Sequence, residues 1–145
     1  ARGVFFGLSA IHTKRDMLRA VMEGVAYSLR DCFEICREMG IDISDMTACG
    51  GGGTSSLWRQ MLADLYKCPV KTSASKEGPA LGAAILAAVG AGIYSSVPEA
   101  CSAIVKTDKT QQPISENIPK YDSCYKLYTE IYPALKDKFK VLAKL

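Results

Sequence analysis

The stretch that decides the fold is Gly50-Gly51-Gly52-Gly53-Thr54-Ser55-Ser56. It follows a short apolar run, residues 46–49, and precedes a helical pattern over residues 57–67. A strand, a glycine loop and a helix start in this order are typical of the anion or nucleotide sites of α/β proteins. Glycine lets the backbone approach a ligand, and the first N–H groups of the helix point at that ligand. Ser55 or Ser56 is expected to be the N-cap of the helix.

Two common nucleotide motifs do not fit the glycine run. A P-loop ends in Gly-Lys-Ser/Thr, and no lysine lies between Gly50 and Leu57. A dinucleotide fingerprint needs a third glycine where Ser55 stands, and Glu77 is a poor match for its ribose-binding acid. The alternative that stays open is a tight strand-to-helix turn with no ligand, although one or two glycines would suffice for such a turn.

The composition is that of a globular protein. Of the 145 residues, 48% are hydrophobic and 23% are charged, which is enough for a core. The net charge is +3, and the C-terminal lysines are interleaved with acids, which favours a solvated helix face over a nucleic-acid surface. Because we find no signal peptide and no uncharged 18-residue apolar run, we expect a cytoplasmic protein with no membrane partner.

The six cysteines and the single histidine, His12, do not form a metal-binding pattern. Cys32 and Cys36 share one helix face, but no Cys-x-x-Cys pair is present. We therefore expect no metal site and interpret the cysteines as small core residues in a reducing compartment.

The hydrophobic pattern predicts alternating strands and helices. Residues 3–9 are expected to form a short strand or an extended turn. Thr13, with Asp16, is expected to cap a long amphipathic helix that ends at Gly40. Gly24 inside that helix suggests close packing or close approach of a ligand. The apolar stripe of the helix is expected to face the core, and it consists of Leu18, Met22, Val25, Leu29, Cys32 and Cys36.

After the glycine run and its helix, residues 70–73 are expected to form a strand. The alanine-rich helix over residues 78–90 is predicted to be buried, because small side chains let a helix lie close to a sheet. A short helix over residues 96–104, a loop over 105–119 and a last helix over 121–145, kinked or restarted at Pro133, complete the chain. This is an α/β pattern with too few strands for a complete sheet, which suggests a piece of a longer protein.

Four stretches, in order, resemble the FGGY family of carbohydrate kinases. The first runs from Gly3 through Phe5, Gly7 and Leu8 to Asp16 and Glu23, and it is similar to the second signature of the family. The second is the glycine run with residues 58–64, which resembles the adenosine loop, and the third is residues 77–84. The ending, residues 125–128 and 132–136, resembles that of the xylulose kinases within the family.

The resemblance implies a ribonuclease H-like lobe of the actin/hexokinase type, with residues 1–145 belonging to the C-terminal nucleotide-binding domain and the N-terminal sugar-binding domain absent. It implies transfer of the γ-phosphoryl group of ATP, with Mg²⁺, to a sugar hydroxyl, and D-xylulose is the expected acceptor. Gly51, Gly52 and Gly53 are expected to lie against the α-phosphate and ribose, and Ser56 to reach the ribose or adenine. The family often has alanine at position 53, and this difference is expected not to harm binding.

No residue of this chain matches the catalytic aspartate of such kinases, so the chain alone is expected to be inactive. Asp16, Glu23, Asp64 and His12 are interpreted as cap, surface or loop residues. ATP or ADP is the expected partner, the sugar would be bound mainly by the other lobe, and exposed apolar surface would allow a homodimer. The alternatives are a kinase of ribulose, gluconate or glycerol, or an actin-like ATP-binding module that is not a kinase.

Overall fold

The computed structural model describes residues 2–75 and 78–145. Helices and strands alternate along the chain, and the pattern is mixed α/β. The elements are α1 (Lys14–Glu38), β1 (Met46–Ala48), α2 (Gly50–Thr54), α3 (Ser56–Tyr66), β2 (Val70–Ser73), α4 (Gly78–Gly90), α5 (Val97–Ile104), β3 (Thr107–Gln111) and α6 (Ile118–Leu142).

The chain divides into two compact units. The first, here called the helical unit, comprises residues 1–42, 64–67 and 114–145. The second, here called the sheet unit, comprises residues 43–63 and 68–113. Within the described residues, no helix is both long and apolar enough to cross a bilayer.

The sheet unit is built on three strands in the order β1-β2-β3. The first two run parallel, with Met46 opposite Val70 and Ala48 opposite Thr72. A parallel pair needs a crossover between its strands, and α2 and α3 occupy that connection. The carboxyl ends of β1 and β2 therefore lie side by side at one edge of the sheet.

The third strand corrects the prediction of a loop over residues 105–119. β3 pairs antiparallel with β2, and Val70 lies opposite Gln111. Four of its five side chains are exposed, and the last, that of Gln111, is partly so. An edge strand of this kind is held by backbone hydrogen bonds. Its sequence therefore does not alternate between apolar and polar residues, and that alternation is the signal by which a strand is predicted.

The core of the sheet unit is formed around α3. Met61, Leu62 and Ala63 are buried on that helix, and Val70 is buried on β2. The prediction of a buried α4 is wrong, because Ile85 is its one buried residue among those described and its alanines are largely exposed. That helix packs mainly on α5, so small side chains here do not mark a close contact with the sheet.

The helical unit contains the long helix α1, whose two ends match the prediction. At the start, the backbone N–H and the hydroxyl of Thr13 both donate to the Asp16 carboxylate at 2.7 Å. At the end, Gly40 has φ +77 and donates to Arg37 O, while Ile41 N–H donates to Cys36 O. These two bonds form a Schellman motif, which satisfies carbonyls that the helix end leaves unpaired.

The face of α1 that packs on α6 is aromatic and charged. The ring of Tyr27 lies 6.0 Å from that of Tyr125 and 5.3 Å from that of Tyr128. Arg30 is only 6% exposed, pairs with Asp122 at 2.8 Å, and lies over the Tyr125 ring at 4.2 Å. Burial raises the pKa of both Tyr27 and Tyr125, so the two phenols stay neutral.

The apolar stripe of α1 that was predicted to face the core is largely exposed instead. Leu18 is 58% exposed, Val25 50% and Leu29 45%. The helix buries Ala26, Tyr27 and Arg30, which lie on a different face. The periodicity was sufficient to predict the helix, but it selected the wrong side as the one that packs within this chain.

Several smaller predictions also need correction. Residues 3–9 form no strand, which leaves the extended turn as the predicted alternative, and α6 continues through Pro133, so the helix does not restart there. A Cβ at Gly24 would meet nothing within 4 Å in the described structure, so that glycine is not required by close packing. The cysteines form no disulfide in the described structure, and of the six Cys68 alone is buried, so they are not a set of core residues.

Candidate functional site

A cleft of about 250 Å³ lies at the carboxyl ends of the two parallel strands. This edge is where open α/β sheets bind ligands, because backbone groups and loop side chains converge there. The cleft belongs entirely to the sheet unit. It is lined by Ala48, Cys49, Gly50, Gly51, Gly53, Thr54, Thr72, Ser73 and Ser75.

The glycine run forms a short helix, α2, and not the loop that was predicted. Gly50 has φ +71, a conformation that side chains disfavour, and it follows Cys49 where the chain leaves β1. Gly53 is buried against the end of β1, since a Cβ there would lie 2.7 Å from Ala48 O. Both glycines are thus required by the backbone, whether or not a ligand is bound.

The geometry at Gly53 shows what an alanine would meet at this position. The atoms nearest to a Cβ at Gly53 are Ala48 O and, at 3.1 Å, Ala48 C. Both belong to the backbone of β1 and not to a flexible side chain. An alanine therefore requires that α2 or β1 moves.

The N-cap prediction is confirmed at Ser55. Its Oγ accepts a hydrogen bond from Trp58 N–H at 3.3 Å, three residues into α3. Ser56 is the first residue of α3, is exposed, and is not among the residues that line the cleft. Because α2 lies between β1 and α3, the start of the longer helix does not directly follow the strand.

The structure brings part of the predicted site together. Gly51 and Gly53 line the cleft, and a Cβ at Gly51 would meet nothing within 4 Å. Gly52 is turned toward Trp58, whose ring atoms would lie 3.4 Å from a Cβ at that position. Glu77, considered as part of an adenine contact, lies outside the described residues.

Sequence reasoning missed the wall of the cleft that β2 contributes. Thr72 and Ser73 end that strand, and Ser75 follows it. The signal was available, because parallel strands place their carboxyl ends together and polar residues there face the same edge. Thr72 is buried, and its Oγ1 accepts from Lys109 N–H at 3.2 Å, so it also fixes β3.

The described residues that line the cleft are uncharged. They offer glycine backbone, hydroxyls and the thiol of the exposed Cys49, and none of them is a carboxylate, lysine or arginine. No group of three or more metal-ligating side chains occurs within the described residues. Such a lining suits the nucleoside part of a nucleotide better than a phosphoryl group in transfer, which needs concentrated positive charge.

The other candidate acids have structural roles. Asp16 caps α1, and the Thr13 backbone hydrogen bond lowers its pKa. Glu23 pairs with Arg19 at 2.8 Å. Asp64 is buried and accepts hydrogen bonds from Ile114 N–H at 2.7 Å and from Asn117 Nδ2 at 2.8 Å. Its carboxylate therefore holds the segment that leads into α6.

Comparison with known proteins identifies the class of this lobe. The crystal structure of xylulose kinase from Rhodospirillum rubrum superposes with a TM-score of 0.85 at 31% identity, and the match covers 97% of this chain and 28% of that one. The xylulose kinase of Staphylococcus epidermidis is 41% identical over 135 residues, which are 93% of this chain and 27% of that protein. The ribulokinase of Bacillus licheniformis is 33% identical over 149 aligned positions, or 99% of this chain.

These neighbours place the fold among the sugar kinases of the actin/hexokinase type. The family model for the C-terminal domain of the FGGY carbohydrate kinases matches residues 1–91. The chain therefore belongs to the FGGY family of carbohydrate kinases. It spans little more than a quarter of the length of the relatives it matches, 27% for the Staphylococcus epidermidis protein.

Proposed function

We propose that residues 1–145 are part of the C-terminal nucleotide-binding domain of a sugar kinase. The intact enzyme would transfer the γ-phosphoryl group of ATP to D-xylulose and release D-xylulose 5-phosphate. The observation that carries this proposal is the glycine-walled cleft at the carboxyl ends of β1 and β2, in a chain of the FGGY family.

The proposed nucleotide contacts are Gly51, Gly52, Gly53 and Ser56. The three glycines would lie against the α-phosphate and ribose, where the absence of side chains lets the ligand approach the backbone. Ser56, exposed at the start of α3, would reach the ribose or adenine. The cleft volume of about 250 Å³ is below the roughly 300–1,000 Å³ of complete ligand sites, so it would enclose only part of the nucleotide.

Catalysis would need groups that the described residues of this cleft do not offer. Phosphoryl transfer depends on positive charge around the phosphates and on a residue that orients the acceptor hydroxyl. Mg²⁺ would accompany ATP in the reaction, but none of the described residues that line the cleft is a carboxylate that could hold a magnesium ion. We therefore expect the 145-residue chain to bind nucleotide without transferring phosphate.

D-xylulose is the preferred acceptor because the matched relatives include several xylulose kinases, one of which is 41% identical to this chain. The alternative is another FGGY substrate, and the ribulokinase match supports ribulose in particular. A non-kinase actin-like module is disfavoured by membership of the FGGY family.

The exposed stripe of α1 supports the proposal that a further, sugar-binding domain belongs to the intact enzyme. Leu18, Val25 and Leu29 remain exposed here, and the relatives are more than three times longer than this chain. The same side chains would let two copies of the isolated chain associate. Sedimentation at increasing concentration would detect such a homodimer.

The nucleotide site can be tested on the chain itself through its cysteines. Cys49 is exposed and lines the cleft, whereas Cys32 and Cys124 are exposed in the helical unit. We expect ADP to slow alkylation of Cys49 and to leave the rates at Cys32 and Cys124 unchanged, as measured by mass spectrometry. Equal rates at Cys49 with and without saturating ADP would contradict the proposed site.

The reaction can be tested on a kinase that carries this domain together with the rest of its polypeptide. ADP release is measured with ATP, Mg²⁺ and, in turn, D-xylulose, D-ribulose, gluconate and glycerol. Selective turnover of D-xylulose is expected, and selective turnover of another acceptor would correct the substrate. ADP release that no sugar stimulates would favour the actin-like alternative.

A further inference from the structure

We propose that Arg59 is a positioning residue that holds α2 in the conformation needed to bind nucleotide. This inference rests on the proposed nucleotide site and adds a residue that lies outside the cleft lining. Arg59 is on α3, is only 6% exposed, and its Nη1 donates to Gly53 O at 2.6 Å. Arg59, Gly53 and the cleft all belong to the sheet unit.

The helix α2 needs support from outside itself. It has five residues, of which four are glycines. Glycine is among the poorest helix formers, and it has no side chain with which to anchor a helix to a core. The position of α2 therefore depends on groups that hold its backbone.

The last carbonyls of a helix have no backbone partner within the helix. In α2 the carbonyls of Gly51, Gly52 and Gly53 each accept a hydrogen bond from a different donor. Thr54 Oγ1 donates to Gly51 O at 2.7 Å, and Ser55 N–H donates to Gly52 O at 3.2 Å. These two donors belong to α2 or to the residue that follows it, so they move with it. Arg59 is anchored on α3, and its bond to Gly53 O ties α2 to that helix.

The bond from Arg59 is also of the stronger kind, because its donor is charged. It acts on the same residue that contacts β1, where a Cβ at Gly53 would lie 2.7 Å from Ala48 O. Gly53 is thus held from two sides, by the end of β1 and by the guanidinium. Loss of one side leaves α2 free to leave the binding conformation.

Stability alone gives a poor reason for an arginine at this position. The side chain is buried, and its Nε has no hydrogen-bond partner within the described structure. A buried N–H without a partner is unfavourable, and apolar residues of similar volume often replace buried charges at little cost. We therefore expect replacement of Arg59 to weaken nucleotide binding more than it weakens folding.

The test compares Arg59→Met and Arg59→Lys with the matched control Arg30→Met. Arg30 is equally buried, at 6% exposed, but it belongs to the helical unit and pairs with Asp122 and Glu34. The measurement is the ADP concentration that half-protects Cys49 from alkylation in each 145-residue chain. Thermal unfolding of each variant is recorded in parallel.

We expect Arg59→Met to raise the half-protecting ADP concentration about tenfold or more and to leave full protection at saturation. This follows because the apparent dissociation constant rises as the binding conformation becomes less populated. Arg59→Lys keeps a charged donor and should restore part of the affinity. Arg30→Met should leave the half-protecting concentration unchanged, even where its melting temperature falls.

Two results would overturn the role of Arg59 while leaving the nucleotide site intact. One is wild-type half-protection in folded Arg59→Met, and the other is an equal shift in Arg59→Met and Arg30→Met. If Arg59→Met loses its unfolding transition, Arg59→Gln, which removes the charge and shortens the side chain, takes its place, and unchanged half-protection in that folded variant would count against the proposal. A wild-type chain that ADP does not protect would refute the nucleotide site itself, and the role of Arg59 with it.

Discussion

Replacement of Gly53 by alanine tests the contact on which the cleft depends. The new Cβ would lie 2.7 Å from Ala48 O and 3.1 Å from Ala48 C. Both atoms belong to the last residue of β1, so the clash can be relieved only by a backbone movement. Overpacking of this kind costs about 1–3 kcal/mol, and the gain in helix propensity from glycine to alanine, about 1 kcal/mol, offsets only part of that.

The matched control is Gly51→Ala in the same short helix. A Cβ at Gly51 would meet nothing within 4 Å, and the residue does not have a positive φ. The alanine at position 51 therefore brings the gain in propensity without the clash. We expect Gly51→Ala to be neutral or stabilising by up to about 1 kcal/mol, and Gly53→Ala to be destabilising.

The free energy of unfolding of both variants can be measured by urea denaturation followed by circular dichroism. A difference of about 1–3 kcal/mol between them, with Gly53→Ala less stable, is the expected result. Equal midpoints for Gly53→Ala and Gly51→Ala would refute the reasoning, because the two alanines bring the same gain in propensity and differ only in the contact with Ala48. Destabilisation by Gly51→Ala would show that some contact limits that position as well.

Two further predictions concern the helical unit. Gly24→Ala should raise stability by about 0.5–1 kcal/mol, since the glycine is inside α1 and a Cβ there meets nothing within 4 Å; an unchanged or lower urea midpoint would contradict this. Burial alone would raise the pKa of Asp122, but hydrogen bonds from Lys67 and Arg30 hold it below its usual 3.8. The ionised carboxylate therefore stabilises the folded state above about pH 4, and this contribution is lost as the pH falls further. Asp122→Asn should flatten the fall in urea midpoint between about pH 5 and 3, and an unchanged slope would exclude Asp122 as its source.

The elements that sequence predicted well are those whose signals are local. The capping residues Thr13 and Gly40 lie at the two ends of α1, and β2 matches the predicted residues 70–73. Caps and short apolar runs depend on a few neighbouring residues, so they can be recognised without knowledge of tertiary contacts. β3 could not be recognised in this way, because its exposed side chains leave only the backbone to define it.

The candidate site shows the same division. The glycine run after the first strand was enough to predict a site at the end of β1, but the wall that β2 contributes to the cleft was missed. The sequence did not reveal that Gly53 packs against Ala48 O. A glycine that is needed for close packing cannot be distinguished in the sequence from one that is needed to bind a ligand. Arg59 carried no signal either, since one arginine in an amphipathic helix is ordinarily a surface residue.

The two faces of α1 show why periodicity alone could not choose the core. One face carries Leu18, Val25 and Leu29, whose side chains are between 45% and 58% exposed. The other face carries Tyr27 and Arg30, which are buried. Hydrophobicity ranks the first face as interior, whereas the partners present in this chain bury the second, through rings and ion pairs to α6. A helix with both kinds of face can be covered on both sides. The pattern of the helix alone does not say which of its two faces the rest of this chain covers. The exposed stripe is therefore consistent with the match to about a quarter of each relative, where further chain is available to cover it.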